Sequence, residues 1–185
     1  MVWGDNASGQ TEVPSLASSV VMVAPSGSDH MGPNHLLVLR ADGTPVAWGS
    51  NGAGQTNVPQ SLGPVIGVAV GAVASGVEKA DGTVTVWGSN REGNMTVPVG
   101  LDNVVQLVAG DWHFMALRAN GSVVSWPASW SNYQGASVIG GGAYAVTGGT
   151  QYGLALVDSS GDVAPTITTQ PANQSESSWG GAKFA

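Results

Sequence analysis

The chain has 185 residues, of which 42% are hydrophobic and only 9% are charged, whereas ordinary domains carry about 25% charged residues. Its formal net charge is −7, and its five Lys and Arg residues are scattered, which argues against nucleic-acid binding and against association with anionic membrane surfaces. The absence of cysteine excludes disulfides and thiolate chemistry. No apolar run approaches the roughly 18 residues of a membrane span, so membrane insertion is not expected.

A twelve-residue phrase opens the chain and recurs twice. It reads Trp-Gly-x-Asn-x-x-Gly-Gln-x-x-Val-Pro, with Asn replacing Gln in the third copy, and its copies begin at Trp3, Trp48 and Trp87. A fourth tryptophan, Trp126, follows at a similar spacing. Units of this length cannot bury a core alone, so neighbouring units must stack. We interpret the tryptophans as packing between units, and the Asn and Gly-Gln residues as turn chemistry.

A second recurring block follows each phrase and predicts a short buried strand and then a hairpin. In its clearest copy, Val104–Gly110 and Phe114–Arg118 are predicted strands, Asn120-Gly121 is a turn, and Val123–Trp126 is the returning strand. Asn-Gly is a strong hairpin signal because the turn requires positive φ angles. The same hairpin is predicted at Leu36–Trp48, at Val77–Trp87 and, with a longer turn, at Leu154–Val163.

The phrase, followed by Leu-Arg-Ala-Asp-Gly-Thr at residues 39–44, resembles the repeat of the regulator of chromosome condensation family. It is most similar to the bacterial secreted branch, which includes β-lactamase-inhibitory propellers. The resemblance implies an all-β, antiparallel β-propeller, usually of seven blades, and a location outside the cell or at its surface. Here it covers about four units, expected at residues 1–49, 50–88, 89–127 and 128–164. Residues 165–185 are predicted to be a linker and the truncated start of a further module, and they resemble a bacterial immunoglobulin-like opening.

Four units are too few for a seven-bladed ring. The last hairpin ends at Val163 where a Val-x-Trp strand is expected, and the chain begins with that strand at Val2-Trp3-Gly4. The sequence leaves three arrangements open: a four-bladed ring, a homodimer that completes one ring, and a truncated array. We favour the truncated array.

The sequence lacks the patterns that carry catalysis. It has no Gly-x-Ser-x-Gly elbow, no His-Glu-x-x-His pair and no phosphate-binding glycine loop, so we expect neither an enzyme nor a cofactor. His35 and His113 occupy matching positions in two units, which would hold them far apart, so no metal site is expected. Glu78 is a carboxylate at a core-facing position, which suggests a degenerate or edge blade. The equivalent positions in the other units are Leu39, Leu117 and Leu156.

The predicted partner-binding residues are Asp111, Trp112, Trp130 and Tyr133. Asp111 and Trp112 lie in a loop between two strands, where binding residues are common, and tryptophan is enriched at interaction hot spots. Trp130 and Tyr133 flank Ser131-Asn132 in a segment suited to stacking on sugars. The resemblance implies partner contacts at one loop position per unit, which matches Asn34, Val73, Trp112 and Gln151.

We therefore predict a non-enzymatic module that binds a protein partner through loops on one face. The alternative is a carbohydrate-binding propeller attached to a secreted enzyme. Inhibition of β-lactamase is less favoured because only one of the four matching loop positions is aromatic. Guanine-nucleotide exchange is less favoured because the chain is acidic and poor in arginine.

Overall fold

The computed structural model describes residues 1–26, 34–90, 95–127, 129–130, 133–134, 140–150 and 152–157. All regular secondary structure within these ranges is β-strand. The same ranges contain no helix that is long and apolar enough to span a membrane. The strands are β1 (Val20–Pro25), β2 (His35–Arg40), β3 (Pro45–Gly49), β4 (Val65–Val70), β5 (Ala74–Lys79), β6 (Val84–Gly88), β7 (Val104–Ala109), β8 (Phe114–Arg118), β9 (Val123–Trp126), β10 (Ser129–Trp130), β11 (Tyr133–Gln134), β12 (Ala143–Gly148) and β13 (Gly153–Val157).

The strands form small antiparallel sheets that follow one another along the chain. The first blade is β1-β2-β3, the second is β4-β5-β6 and the third is β7-β8-β9. The described part of the fourth blade is β12-β13, and β10-β11 form a short separate hairpin before it. The first three predicted hairpins are confirmed, and the turn of the fourth lies outside the described residues. The predicted tail at 165–185 also lies outside them.

The hairpin turns hold each blade together and also contact the next blade. In the second blade, Asp81 Oδ1 accepts a hydrogen bond from the Thr83 backbone N–H at 2.9 Å, and Gly82 has a φ of +77°. The Gly82 carbonyl accepts a bond from the Val104 N–H of the third blade at 3.0 Å. A Cβ at Gly82 would lie 3.0 Å from the Asn103 backbone, so glycine is required by both its φ and this approach.

The hydrophobic core is divided among the interfaces between blades. The first strands lie side by side, β1 against β4, β4 against β7 and β7 against β12. Leu37 of the first blade packs with Val77 and Trp87 of the second. Phe114 packs in a cluster with Ala69 of the second blade, and Met115 packs with Val146 of the fourth. Each blade therefore depends on its neighbours for burial, as the repeat length predicts.

The repeated phrase links each blade to the next through its tryptophan. The Trp48 indole N–H donates to the Gln10 carbonyl, and the Trp87 indole N–H donates to the Gln55 carbonyl, each at 2.9 Å. The turn prediction is also confirmed, because Asn51 Oδ1 accepts from the Thr56 N–H at 3.1 Å. The matching bonds join Asn6 to Thr11 and Asn90 to Met95.

Trp3 is an exception to the predicted packing role. Its side chain is 83% exposed, whereas Trp87 is 9% and Trp126 is 2% exposed. Trp48 and Trp87 each bond to the phrase that precedes their own. The interpretation of Trp3 as a packing residue was therefore wrong.

The sequence suggested that Glu78 marks a degenerate or edge blade, and the edge-blade alternative is wrong. Glu78 is 6% exposed and belongs to the second blade, which has a blade on either side. Gly67 stands opposite Glu78 in the sheet, and a Cβ there would lie 2.9 Å from the Glu78 carboxylate. Burial raises the pKa of Glu78, and a hydrogen bond from the Leu107 backbone lowers it in part. The missing side chain at Gly67 makes room for the carboxylate within the interface.

Candidate functional site

The predicted Asp111-Trp112 loop lies at the end of the third blade where β7 turns into β8. Asp111 is 8% exposed; its carbonyl accepts from the Ala72 N–H at 3.0 Å, and its N–H donates to the Thr150 carbonyl at 3.3 Å. The backbone of Asp111 thus bridges the equivalent loops of the second and fourth blades. Trp112 is half-buried and is the more accessible of the two predicted residues.

The other predicted positions are only partly described. Trp130 and Tyr133 oppose each other directly in the β10-β11 hairpin, which brings their backbones together. Ser131 and Asn132 lie outside the described residues. Among the loop positions that match Trp112, Asn34 and Val73 are half-buried, and Gln151 is outside the described part of the chain.

The two matched histidines are part of the interior. His35 is fully buried, and its Nε2 lies 2.9 Å from Ser75 Oγ, which donates to the Gln55 carbonyl at 2.8 Å. Because the Ser75 proton is used in that bond, His35 Nε2 acts as the donor to Ser75. Burial lowers the pKa of His35 to about 4.

His113 resembles His35 in its environment. It is 4% exposed, and burial lowers its pKa to about 4 as well. Both histidines are therefore neutral at pH 7, and His35 joins the first blade to the second through Ser75. Within the described ranges, no three His, Cys, Asp or Glu side chains are grouped closely enough to hold a metal ion.

An exposed apolar residue stands at the same place in all four first strands. Each first strand contains a shift of register where it pairs with the second strand, and one residue is left out of the pairing. That residue is Val21, Ile66, Val105 or Tyr144, with exposed fractions of 61%, 47%, 53% and 63% respectively. We call these four residues the bulge row. A β-bulge redirects a side chain away from the regular face of a sheet, which accounts for their exposure.

The bulge row lies at the opposite end of the sheets from the Trp112 loop. Each bulge is at the start of a first strand, which pairs with the end of the second strand beside the hairpin turn; Val65, for example, pairs with Lys79. Because the first strands are neighbours, the four residues follow one another from blade to blade. Sequence reasoning missed this row, although one signal is present: an apolar residue directly follows Val20, Val65, Val104 and Ala143.

Charged and polar groups border the bulge row at the hairpin turns. Arg40 Nη1 lies 3.2 Å from Asp42 Oδ2, and Arg118 forms an ion pair with Asp102. A backbone hydrogen bond from Thr44 is the main reason that the pKa of Asp42 is lowered. Exposed apolar side chains with a polar border are typical of protein-interaction surfaces.

Comparison with known proteins supports the repeat and the fold. Residues 104–126, which span β7 to β9, match the regulator of chromosome condensation (RCC1) repeat. This match confirms the predicted resemblance in the third blade. Comparison with curated protein sequences finds no match to the chain.

Three solved structures share the arrangement of the blades. Human WBSCR16 has a TM-score of 0.60 at 22% identity, over 78% of this chain and 46% of that chain. The ectodomain of the Physcomitrella patens receptor kinase CR4 has a TM-score of 0.57 at 21% identity, over 80% of this chain and 41% of that chain. The CRINKLY WD40 ectodomain of the Arabidopsis thaliana receptor kinase ACR4 has a TM-score of 0.54 at 13% identity, over 75% of this chain and 45% of that chain.

These similarities define the class of protein. The chain is an all-β array of antiparallel blades with an RCC1-type repeat, arranged as part of a β-propeller. It spans less than half the length of the three solved chains that it resembles. Repeat arrays of this kind present extended surfaces on a rigid scaffold.

Proposed function

We propose that the chain is a non-enzymatic module that binds a protein partner. The observation that supports this proposal is the bulge row: Val21, Ile66, Val105 and Tyr144 are exposed at equivalent positions in successive blades. Covering exposed apolar side chains is favourable, and an apolar surface with a polar border is typical of an interaction site. A partner that lies across the hairpin-turn end would cover all four.

Covering the bulge row would contribute favourably to the binding of a partner. Each of the four side chains is about half exposed or more. At about 25 cal/mol for each Å² of apolar surface, burial of one such side chain contributes about 1–2 kcal/mol. The polar turns around the row would then orient the partner and provide selectivity.

Trp112 defines a second surface for the same function. It lies at the loop end, where the family resemblance implies partner contacts. Because the two surfaces are at opposite ends of the sheets, one small partner domain cannot contact both. Substitutions confined to one surface therefore show which of the two surfaces a partner binds.

The test is affinity capture with the purified chain from the secreted and surface proteins of its source cells. Ile66→Ser and Val105→Ser together remove the centre of the bulge row, and Trp112→Ala removes the loop anchor. Val99→Ser is the matched control because Val99 is fully exposed outside the row. We expect the double variant to lose a protein that the control retains. A protein lost only with Trp112→Ala would move the proposal to the loop end, and capture equal for all variants would reject it.

Carbohydrate binding is the second candidate function. The pairing of Trp130 with Tyr133 in the β10-β11 hairpin is the observation that favours it, because two adjacent aromatic residues suit the flat face of a sugar ring. A glycan array gives the direct test. Saturable glycan binding that Trp130→Ala abolishes would favour this candidate over the protein module.

The proposed location is extracellular or at the cell surface. It is supported by the similarity of the repeated phrase to that of the bacterial secreted branch. Recovery of the protein in the medium or on intact cells labelled by an impermeant reagent would agree with this location. Recovery only from the cell interior would contradict it.

A further inference from the structure

Two asparagines of the chain are followed directly by glycine. One pair is Asn51-Gly52, in the second copy of the repeated phrase, and the other is Asn120-Gly121, in the hairpin turn of the third blade. Asparagine deamidates spontaneously when the backbone nitrogen of the next residue attacks its side chain, and glycine has no Cβ to obstruct that attack. The two pairs have different surroundings, so the fold determines which of them reacts.

The Asn120-Gly121 pair is held against this reaction. The Gly121 N–H donates to the Arg118 carbonyl at 2.9 Å, and the Gly121 carbonyl accepts from the Ala143 N–H at 3.0 Å. A Cβ at Gly121 would lie 2.6 Å from the Gly142 nitrogen, so the fourth blade encloses this side of the turn. Attack on Asn120 would require the Gly121 nitrogen to break its hydrogen bond, which opens the turn.

The Asn51-Gly52 pair is open to the same reaction. Both residues are exposed, and a Cβ at Gly52 would meet no atom within 4 Å. Among the described residues, none accepts a hydrogen bond from the Gly52 N–H. In the first copy of the phrase the equivalent N–H belongs to Ala7 and donates to Asp5 Oδ2 at 3.3 Å. Ser50 takes the place of Asp5 in the second copy, which leaves the Gly52 nitrogen available.

Deamidation at Asn51 consumes only water. The Gly52 nitrogen attacks Asn51 Cγ, and the N–Cγ bond forms as this nitrogen loses its proton. The Cγ–Nδ2 bond then breaks, and the side-chain nitrogen takes up the proton and leaves as ammonia. Water opens the resulting succinimide ring at either carbonyl and produces aspartate or isoaspartate. The Thr56 N–H, 3.1 Å from Asn51 Oδ1, stabilises the negative charge that develops on this oxygen during the attack.

Asn51 also supports a segment that joins the first two blades. Its Nδ2 donates to Asn57 Oδ1 at 2.8 Å, across a turn that contains the fully buried Gln55. The Gln55 carbonyl accepts from Trp87 Nε1 at 2.9 Å and from Ser75 Oγ at 2.8 Å. An aspartate in place of Asn51 removes the donor to Asn57 Oδ1. Isoaspartate in addition lengthens the main chain by one atom, which displaces the turn.

We propose that Asn51 is a site of spontaneous deamidation and that its conversion weakens the contact between the first and second blades. Neither claim uses the bulge row, so the proposal does not depend on the proposed function. The chain would gain negative charge and lose strength at one blade contact as it ages, without any modifying enzyme.

Mass spectrometry of the full chain, after incubation at mildly alkaline pH, tests the site. Trypsin separates Asn51, in the peptide 41–79, from Asn120, in the peptide 119–183, and fragmentation distinguishes Asn51 from Asn57. We expect Asn51 to convert about tenfold faster than Asn120, since one backbone hydrogen bond corresponds to about that factor in rate. Comparable conversion of the two asparagines in the folded chain would overturn the proposal.

The same incubation in concentrated urea shows whether the fold causes the difference. We expect Asn51 and Asn120 to convert at similar rates there, because both precede glycine and unfolding removes the bond between Gly121 and Arg118. A difference that persists in the unfolded chain would contradict the structural explanation.

Gly52→Ala is the matched variant, and the chain itself shows that the turn accepts it. The first copy of the phrase has Ala7 at this place, and its turn is closed by a bond from the Gly9 N–H to the Asn6 carbonyl, at 3.1 Å. The second turn is closed in the same way at 3.1 Å. The variant should slow conversion of Asn51 by about tenfold or more, because a Cβ at residue 52 obstructs the attacking nitrogen. Unchanged conversion would overturn the proposal.

Stability of the converted chain tests the second claim. Anion exchange separates the converted protein, which carries an additional negative charge, from the unconverted protein. We expect a lower urea midpoint for the converted fraction, and equal midpoints would overturn this claim. Gly52→Ala incubated in parallel should keep its midpoint. A loss in that variant would assign the change to another residue. Failure of partner capture would affect only the proposed function.

Discussion

The side-chain amide of Gln106 hydrogen-bonds both backbone groups of Val146. Its Nε2 donates to the Val146 carbonyl, and its Oε1 accepts from the Val146 N–H, each at 3.0 Å. Gln106 lies on β7 and Val146 on β12, so this pair joins the first strands of the third and fourth blades. Leu107 on β7 is the equivalent of Val146 on β12. The Leu107 N–H donates a hydrogen bond to the Glu78 side chain of the blade before it.

Replacement of Gln106 by alanine should destabilise the protein by about 1–3 kcal/mol, because it leaves two backbone groups at the blade interface without partners. Chemical denaturation monitored by tryptophan fluorescence measures the loss. Gln60→Ala is the matched control, since Gln60 is exposed on a loop, and it should change stability by less than about 0.5 kcal/mol. Equal effects of the two variants would contradict the structural role of the Gln106–Val146 pair.

Trp87→Phe should lower the free energy of unfolding by about 1–2 kcal/mol, since it keeps an aromatic ring but removes the donor to the Gln55 carbonyl. The same substitution at Trp3 is the control within the repeat. It should leave stability unchanged because Trp3 is 83% exposed. A comparable loss at both positions would show that the two tryptophans share one role.

The turns and strands could be predicted from the sequence because the residues that determine them lie close together in the chain. The Asn120-Gly121 turn, the Asn51 cap and the strands on either side of them depend on residues a few positions apart. The relationships between blades depend on residues that are distant in sequence, such as Gly76 with Phe114 or Gly67 with Glu78. For that reason the sequence suggested a degenerate or edge blade at Glu78 and a packing role between blades for Trp3.

The candidate site was harder to predict than the fold. Trp112 was identified by residue type and loop position, whereas the bulge row is produced by a shift of strand register that no residue type announces. Alternating burial along β4 predicts that Ile66 is exposed only if the register of β4 against β5 is already known. The repetition of an apolar residue after Val65 and its equivalents was the available signal.

Acid should destabilise the protein through its two buried histidines. Burial lowers the pKa of His35 and His113 from 6.5 to about 4, so the unfolded chain binds more protons than the folded one within that window. Their contribution is fully present above pH 6.5 and is lost as the pH falls toward 4, by an amount of order 3 kcal/mol for each histidine. Urea midpoints between pH 7 and 4 measure this loss. His35→Gln with His113→Gln should flatten the profile, and an unchanged slope would contradict the assignment.

Titration of Glu78 should lower the stability of the protein as the pH rises, whereas titration of the two histidines lowers it as the pH falls. Burial raises its pKa above 4.5, so the folded state retains a proton that the unfolded state releases. Stability is therefore unaffected below pH 4.5 and falls as the pH rises from there through the raised pKa. The difference in stability between wild type and Glu78→Gln should grow over this range, and the histidine contribution cancels in that difference. A difference independent of pH would show that Glu78 titrates normally.

The most direct test of the account is the affinity of a captured partner for three proteins: wild type, the Ile66→Ser and Val105→Ser double variant, and Val99→Ser. Isothermal titration calorimetry gives Kd for each. The account predicts that the double variant binds at least about tenfold more weakly, since two apolar contacts are lost, while Val99→Ser binds as wild type does. Equal affinity for all three proteins would contradict the claim that the bulge row is the interaction surface.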